Sequence, residues 1–184
     1  MSQKEVHIDA LLQLCMQGNQ VAQLDLYNRY YRAMYNTAVR IVKDSAEAED
    51  VMQESFLNAF TKLYTFKGEV SFGAWLKRIV INNSIYHYKK KRKKNEVALD
   101  ELLYKVEDND GIASNHVFTE QKAQKVMETM NRLKDNYRIS LTLHLIEGYD
   151  YDEICTIMNI SYANCRTTIS RAKESLRRQL ILTD

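Results

Sequence analysis

The side chains of this chain that are best suited to a chemical task are cations and hydroxyls. Arg166, Thr167, Ser170, Arg171 and Lys173 fall close together near the start of the last helical pattern, and Lys89-Lys90-Lys91-Arg92-Lys93-Lys94 is an unbroken run of cations. A guanidinium group can pair with a guanine edge, a hydroxyl can reach a phosphate or a base edge, and an ammonium group attracts phosphate charge. The chemistry these residues imply is polyanion binding. Nothing comparable suggests a reaction. Cys15, Cys155 and Cys165 are odd in number and form no CxxC pair, and His7, His87, His116 and His144 are scattered without metal-ligand spacing. There is no GxxxxGK[ST], GxSxG or GxGxxG motif and no paired-carboxylate face, so no metal, no cofactor and no enzyme activity is expected.

The stretch that must position the cationic run is Phe72-Gly73-Ala74-Trp75-Leu76-Lys77-Arg78-Ile79, continuing through Asn82, Asn83, Tyr86 and Tyr88 into Lys89. Phe72, Trp75, Ile79 and Asn83 share one stripe at three- and four-residue spacing, as a core-facing helix requires. An isolated basic run is as easily a solvated tail or a localisation signal. This one ends a packed helix, with Asn82 and Tyr86 just upstream, and reads as a helix laid along nucleic acid.

The remaining elements are helical too. The 184 residues include no proline and few glycines, and strand-type alternation is missing, so the expected fold class is all-α. Ile8, Leu11, Leu12 and Cys15 mark a short helix that Gly18 can close. A second runs from Val21 to Val42, with Leu24, Tyr27, Tyr31, Met34, Ala38, Ile41 and Val42 inward. Asp44-Ser45-Ala46-Glu47 has the form of a capping box and opens a third helix, which extends to Tyr64. There Ala48, Met52, Phe56, Ala59, Phe60 and Leu63 face inward, while Asp50, Gln53, Glu54, Leu57 and Asn58 cluster opposite. From spacing alone, Leu57 is more simply an isolated surface leucine than the anchor of a polar-rimmed interface. A loop from Tyr64 to Ser71 follows, with Ser71 as N-cap of the central helix.

After Lys94 the pattern breaks into an acidic, polar segment from Asn95 to Thr119, which reads as a flexible linker between two small helical domains, 1–94 and 120–184. In the second domain Ala123, Met127, Met130 and Leu133 line one helix. Asp135 or Asn136 can cap the next, with Ile139, Leu143 and Ile146 inward and Gly148 at its end. Asp150-Tyr151-Asp152-Glu153 is a further capping box, opening a short helix with Ile154, Ile157 and Met158 buried. Asn159-Ile160-Ser161 forms a tight turn, and Ser161 caps a final helix whose stripe is Cys165, Ile169, Ala172, Leu176 and Leu180. A short helix, a three-residue turn and a longer helix with basic and hydroxyl residues near its start match a helix-turn-helix, with a plain helical hairpin as the alternative.

Three motifs in this order carry a resemblance. Ala48-Glu49-Asp50-Val51-Met52-Gln53-Glu54-Ser55-Phe56, then Phe72-Gly73-Ala74-Trp75-Leu76-Lys77-Arg78-Ile79 with Asn82, then Tyr151-Asp152-Glu153-Ile154 through Arg171-Ala172-Lys173 resemble a bacterial RNA polymerase sigma factor of the extracytoplasmic-function (ECF) group. The resemblance spans roughly Ala22 to Leu180. It implies a four-helix promoter-melting domain, a helix-turn-helix domain, and promoter-specific initiation with core RNA polymerase, whose β′ clamp helices and β subunit are the implied partners. Asp50, Gln53, Glu54, Leu57 and Asn58 become the face that grips the clamp helices, which reverses the spacing-only reading of Leu57. Lys77, Arg78, Asn82, Tyr86, Lys89 and Lys90 are implied at the minus-ten element, with Trp75 chiefly in the core. Arg166, Thr167, Ser170, Arg171 and Lys173 are implied at the minus-thirty-five element.

A cognate anti-sigma factor is a further implied partner. With no apolar h-region at the N-terminus and no apolar run of membrane length, a soluble cytoplasmic protein without membrane insertion is expected. The chain departs from the family pattern at Tyr86, where an aspartate is common, at Lys89 and Lys90, where arginines are, and at Leu133-Lys134, where Leu-Pro is. Ala163, Asn164 and Cys165 stand where glycine, threonine and valine are usual. Lysine for arginine keeps phosphate attraction but gives up bidentate geometry, so these departures bear on the promoter sequence. The competing readings are a stand-alone dimeric helix-turn-helix regulator and an all-helical enzyme.

Overall fold

The computed structural model describes residues 8–98 and 119–182, and side chains within 8–93 and 122–182. The N-terminal residues before Ile8 and most of the expected linker lie outside the described residues. Among those described there is no strand, and the chain divides into two compact units, 1–94 and 95–184.

The first unit holds α1 (Ile8–Met16), α2 (Gln20–Val42), α3 (Ser45–Lys62) and the start of α4 (Phe72–Ala98). The α1–α2 corner is a reciprocal stop and start. Gly18, at φ +79°, donates to the Cys15 carbonyl at 3.0 Å and Asn19 donates to Leu14 at 3.1 Å, which closes α1 as a Schellman turn. Asn19 then accepts the Ala22 amide at 3.0 Å and caps α2. At the next corner Lys43 takes a left-handed conformation, φ 59°, and Asp44 caps α3 by accepting the Glu47 amide at 3.0 Å. Only that half of the expected capping box is seen, because the Glu47 side chain reaches Lys91 of α4 instead, at 2.8 Å. A 3-10 turn, Leu63–Thr65, ends α3. Ser71 caps α4 through the Ala74 amide, at 3.3 Å.

The core of this unit is formed by Leu26, Met34 and Ala38 from α2, Val51, Met52 and Phe56 from α3, and Leu76 and Val80 from α4. Leu24 is exposed, and Ala22 and Leu26 on either side of it are buried instead, so the inward stripe at the start of α2 is offset by two residues from what spacing suggested. In α4 the deepest side chains are Phe72, Leu76, Val80, Ile81, Ser84 and Ile85, while Trp75, Ile79 and Asn83 of the expected stripe are only half-buried. α4 also continues to Ala98, past the Lys94 at which its pattern was expected to break. Aromatic rings close the α2–α4 seam: Tyr30 meets Phe72 edge-on at 5.2 Å, and Gly73 is needed there because a Cβ would lie 2.9 Å from the Tyr30 ring.

The second unit holds α5 (Thr119–Asn131), α6 (Asp135–Leu141), α7 (Tyr151–Met158) and α8 (Tyr162–Leu182). Ala123 is exposed, leaving Met130 and Leu133 as the anchors of α5 and the turn after it. α6 has no side-chain cap: Lys134 occupies the cap position, and Asp135 pairs with buried Arg138 at 3.3 Å. A π-helical turn, Thr142–Ile146, follows α6, and Gly148 turns the chain at φ +81°. The α7 capping box is complete, with Asp150 accepting the Glu153 amide at 2.8 Å and Glu153 accepting the Asp150 amide at 3.0 Å. Asn159, left-handed at φ 55°, ends α7, and the Ile160 amide donates back to the Cys155 carbonyl at 3.1 Å. Ser161 caps α8 through the Asn164 amide at 3.3 Å. Ile154, Cys165, Ile169, Ala172 and Leu176 are buried, which packs α7 and α8 into a helix-turn-helix, whereas Ile160 in its turn is only half-buried.

Candidate nucleic-acid interface

The acidic face of α3 is placed by the helix's own apolar stripe. With Ala48, Val51, Met52, Ser55, Phe56 and Ala59 buried, Asp50, Gln53, Glu54 and Leu57 are exposed and Asn58 is half-buried. Leu57 is 68% exposed, an apolar side chain with acids and amides around it.

Three polar contacts at four-residue intervals along α4 fasten it to α3. The Asn83 amide donates to the Ser55 hydroxyl at 3.0 Å, the His87 imidazole meets the Glu54 carboxylate at 2.8 Å, and Lys91 meets Glu47 at 2.8 Å and Asp44 at 3.8 Å. Side-chain hydrogen bonding with Glu47 raises the Lys91 ammonium above its ordinary pKa, and the Glu47 backbone amide holds the Asp44 carboxyl below its own. None of these pairings was visible in the sequence. Their only trace there is that Asn83, His87 and Lys91 share one helical face.

Of the α4 residues implied at DNA, Asn82, Tyr86, Lys89 and Lys90 are exposed, and Lys77 and Arg78 are half-buried. The Lys90 ammonium lies 6.0 Å from the centroid of the Tyr86 ring, at the outer limit of a cation–π contact. At the N-terminal end of α4, the chain from Thr65 to Val70 curves around an open depression of about 260 Å³ floored by Trp75. Trp75 packs at 5.5 Å from Phe66 and 5.7 Å from Phe72, so it serves the core on one side and this depression on the other.

In the second unit Arg166, Thr167, Ser170 and Arg171 are exposed along the first three turns of α8, with Lys173 half-buried behind them. No side-chain hydrogen bond or ion pair joins Arg166, Thr167, Ser170 or Arg171 to any described residue. Their donors are therefore available to a ligand. The described residues contain no cluster of His, Cys, Asp and Glu able to hold a metal ion, and no helix among them is long and apolar enough to cross a membrane.

The two halves of this geometry correspond to two known sequence families. The family model for Sigma-70 region 2 matches residues 26–94, and that for Sigma-70, region 4 matches residues 123–176. The ECF RNA polymerase sigma factor SigW of Bacillus subtilis is 30% identical over 96% of this chain and 98% of its own length. The chain belongs to the ECF group of RNA polymerase sigma factors. The RNA polymerase sigma-H factor of Pseudomonas aeruginosa is 28% identical over 92% of each chain. Two solved structures share the fold of this sigma factor: RpoE of Bartonella quintana, solved with the anti-sigma factor NepR (TM-score 0.60, 20% identity, 87% of this chain and 96% of that one), and CnrH, solved with the cytosolic domain of CnrY (TM-score 0.55, 22% identity, 95% and 97%). The function of this sigma factor is promoter-specific initiation of transcription with RNA polymerase.

Proposed function

We propose that the surfaces described above divide the work of initiation between polymerase docking, minus-ten melting and minus-thirty-five reading. Asp50, Gln53, Glu54, Leu57 and Asn58 dock on the β′ clamp helices of core RNA polymerase. The observation that carries this reading is Leu57, exposed at the centre of a polar rim, since a large apolar side chain covered on binding contributes about 1.5–3 kcal/mol. The surrounding carboxylates favour a basic partner surface and speed the encounter.

On the DNA side, Lys77, Arg78, Asn82, Tyr86, Lys89 and Lys90 follow the minus-ten element, and the depression at Thr65–Val70 receives one unstacked base. Its volume, about 260 Å³, is just below the range of pockets that engulf a small-molecule ligand, which suits a single base taken from the side. Unstacking costs a few kcal/mol, and stacking on an aromatic such as Trp75 returns about 1–3 kcal/mol before any phosphate contact is counted. Arg166, Thr167, Ser170 and Arg171 enter the major groove of the minus-thirty-five element, with Lys173 on phosphate. Such a protein works in the cytoplasm, catalyses no reaction of its own, and is held in check by a cognate anti-sigma factor covering these same faces, a reading supported by RpoE, which was solved with the anti-sigma factor NepR.

The test is size-exclusion chromatography of the purified chain with bacterial core polymerase. Co-elution that is lost in the double variant Asp50→Lys, Glu54→Lys supports the docking face. Tight binding to promoter duplex without polymerase, and no co-elution, would instead favour a stand-alone regulator.

A further inference from the structure

Cys155 of α7 and Cys165 of α8 belong to none of these surfaces. Cys165 lies in the first turn of α8, fully buried, with its Sγ 3.7 Å from the carbonyl oxygen of Tyr151. Tyr151 opens α7, and the α-helical hydrogen bond of the Cys155 amide ends on the same carbonyl four residues back. One oxygen thus receives both the Cys165 thiol and the Cys155 backbone amide, which sets the two cysteines side by side where the helices cross. The neighbouring Cys155 thiol is close enough to act on the Cys165 thiol and raise its pKa. Cys155 is half-buried, within reach of a small solute, whereas the third cysteine, Cys15, is buried in the other unit.

We propose that Cys155 and Cys165 form an oxidisable dithiol, which a peroxide closes to a disulfide linking the two helices of the helix-turn-helix. Burial first, and then the neighbouring Cys155 thiol, push the Cys165 thiol up to about 11, so Cys165 stays protonated and Cys155 takes the first step. With hydrogen peroxide, the Cys155 sulfur attacks one peroxide oxygen and the O–O bond breaks. The departing hydroxide takes the Cys155 proton and leaves as water, and Cys155 becomes a sulfenic acid. The Cys165 sulfur then attacks the sulfenic sulfur, the S–O bond breaks, and the hydroxide leaves with the Cys165 proton as a second water. Two thiols and one peroxide give one disulfide and two waters: the sulfurs lose two electrons and the peroxide gains them.

The high pKa of Cys165 slows its attack, and its fixed position beside Cys155 offsets this by making the step intramolecular. An S–S bond is about 2.0 Å long, so closure draws the first turn of α8, and with it Arg166, toward α7. In a reducing compartment the bond is transient and is reversed by thiol exchange.

The experiment exposes the full chain to hydrogen peroxide, removes the peroxide, unfolds the chain in guanidinium chloride, blocks remaining thiols with iodoacetamide, and digests with trypsin before mass spectrometry. No lysine or arginine lies between Arg138 and Arg166, so both cysteines fall in the single peptide Ile139–Arg166. That peptide is expected to lose the mass of two hydrogens, to resist alkylation, and to accept two alkyl groups after dithiothreitol, while the Cys15 peptide is alkylated throughout. The variant Cys155→Ser should give no such loss, and Cys165→Val should stall at a sulfenic acid that dimedone traps at Cys155. Full alkylation of both thiols at peroxide levels that oxidise free cysteine would overturn the proposal. So would over-oxidation of Cys155 with Cys165 still free.

Discussion

Two helices of this sigma factor carry the candidate DNA contacts, and they are held in opposite ways. α4 is fastened to α3 by Asn83–Ser55, His87–Glu54 and Lys91–Glu47, each an oriented polar contact between 2.8 and 3.0 Å. α8 rests on α7 and the rest of its unit through an apolar stripe of Cys165, Ile169, Ala172 and Leu176, and the side chains of its outward Arg166 and Arg171 are unengaged by any described residue. An apolar stripe sets which face is inward but tolerates small slides. Directional polar contacts also fix register. The difference teaches that the cations of the two helices are not equivalent. In the run Lys89 to Lys94, Lys91 is already matched by Glu47 and Asp44, so counting cations overstates what α4 offers to phosphates.

The contrast can be broken most severely at its apolar end. Ile169→Ala, at a position 1% exposed, should destabilise the second unit by about 2–5 kcal/mol, read by calorimetry or by amide exchange confined to α5–α8. Next in size is Arg171→Ala, expected to cost about 1–3 kcal/mol in holoenzyme binding to a cognate minus-thirty-five sequence while leaving scrambled sequences unaffected. An equal loss on both would make it a phosphate contact. Leu57→Ala should weaken association with core polymerase by about 1–2 kcal/mol, measured by fluorescence anisotropy, without moving the melting temperature, since the side chain packs little in the free protein.

Two smaller effects sharpen the comparison. Lys90→Ala should lower the log–log salt slope of promoter binding by about one unit, while Lys91→Ala should change it far less, because its charge is spent on α3. Last comes the α3 cap. The folded Asp44 carboxyl titrates below its unfolded value, so its stabilisation is present at neutral pH and is lost as pH falls through the lowered pKa. Asp44→Ala should therefore cost about 1 kcal/mol near neutrality and less in acid, as urea denaturation across pH would show.

What the sequence made legible was what is local. The α7 box of Asp150 and Glu153, the Ser71 and Ser161 caps, and the α8 stripe all depend on residues within a few positions of one another. The acidic face of α3 follows from its buried face. Spacing went astray where neighbours decide: Leu24 and Leu26 are both candidates for the inward stripe of α2, and only the packing against α1 and α3 selects Leu26. Asn83 sits on the expected stripe of α4, yet it is half-buried because it hydrogen-bonds Ser55, which lies 28 residues away. His87–Glu54, separated by 33 positions, has no signature in periodicity beyond the helical face that His87 shares with Asn83 and Lys91. The Glu47 half of the first capping box was misread for the same reason, since a distant lysine outcompeted the local amide.

Lys43 and Asn159, the non-glycine residues at positive φ among those described, carry a last consequence. Each turns a helix into its successor in a left-handed conformation that costs a side-chain-bearing residue roughly 1–2 kcal/mol, less for asparagine. This sigma factor is therefore poised below the stability its own architecture permits. Asn159 lies in the turn that leads into α8, so Lys43, at the α2–α3 corner, is where glycine offers thermostability by engineering, net of the freedom it adds to the unfolded chain.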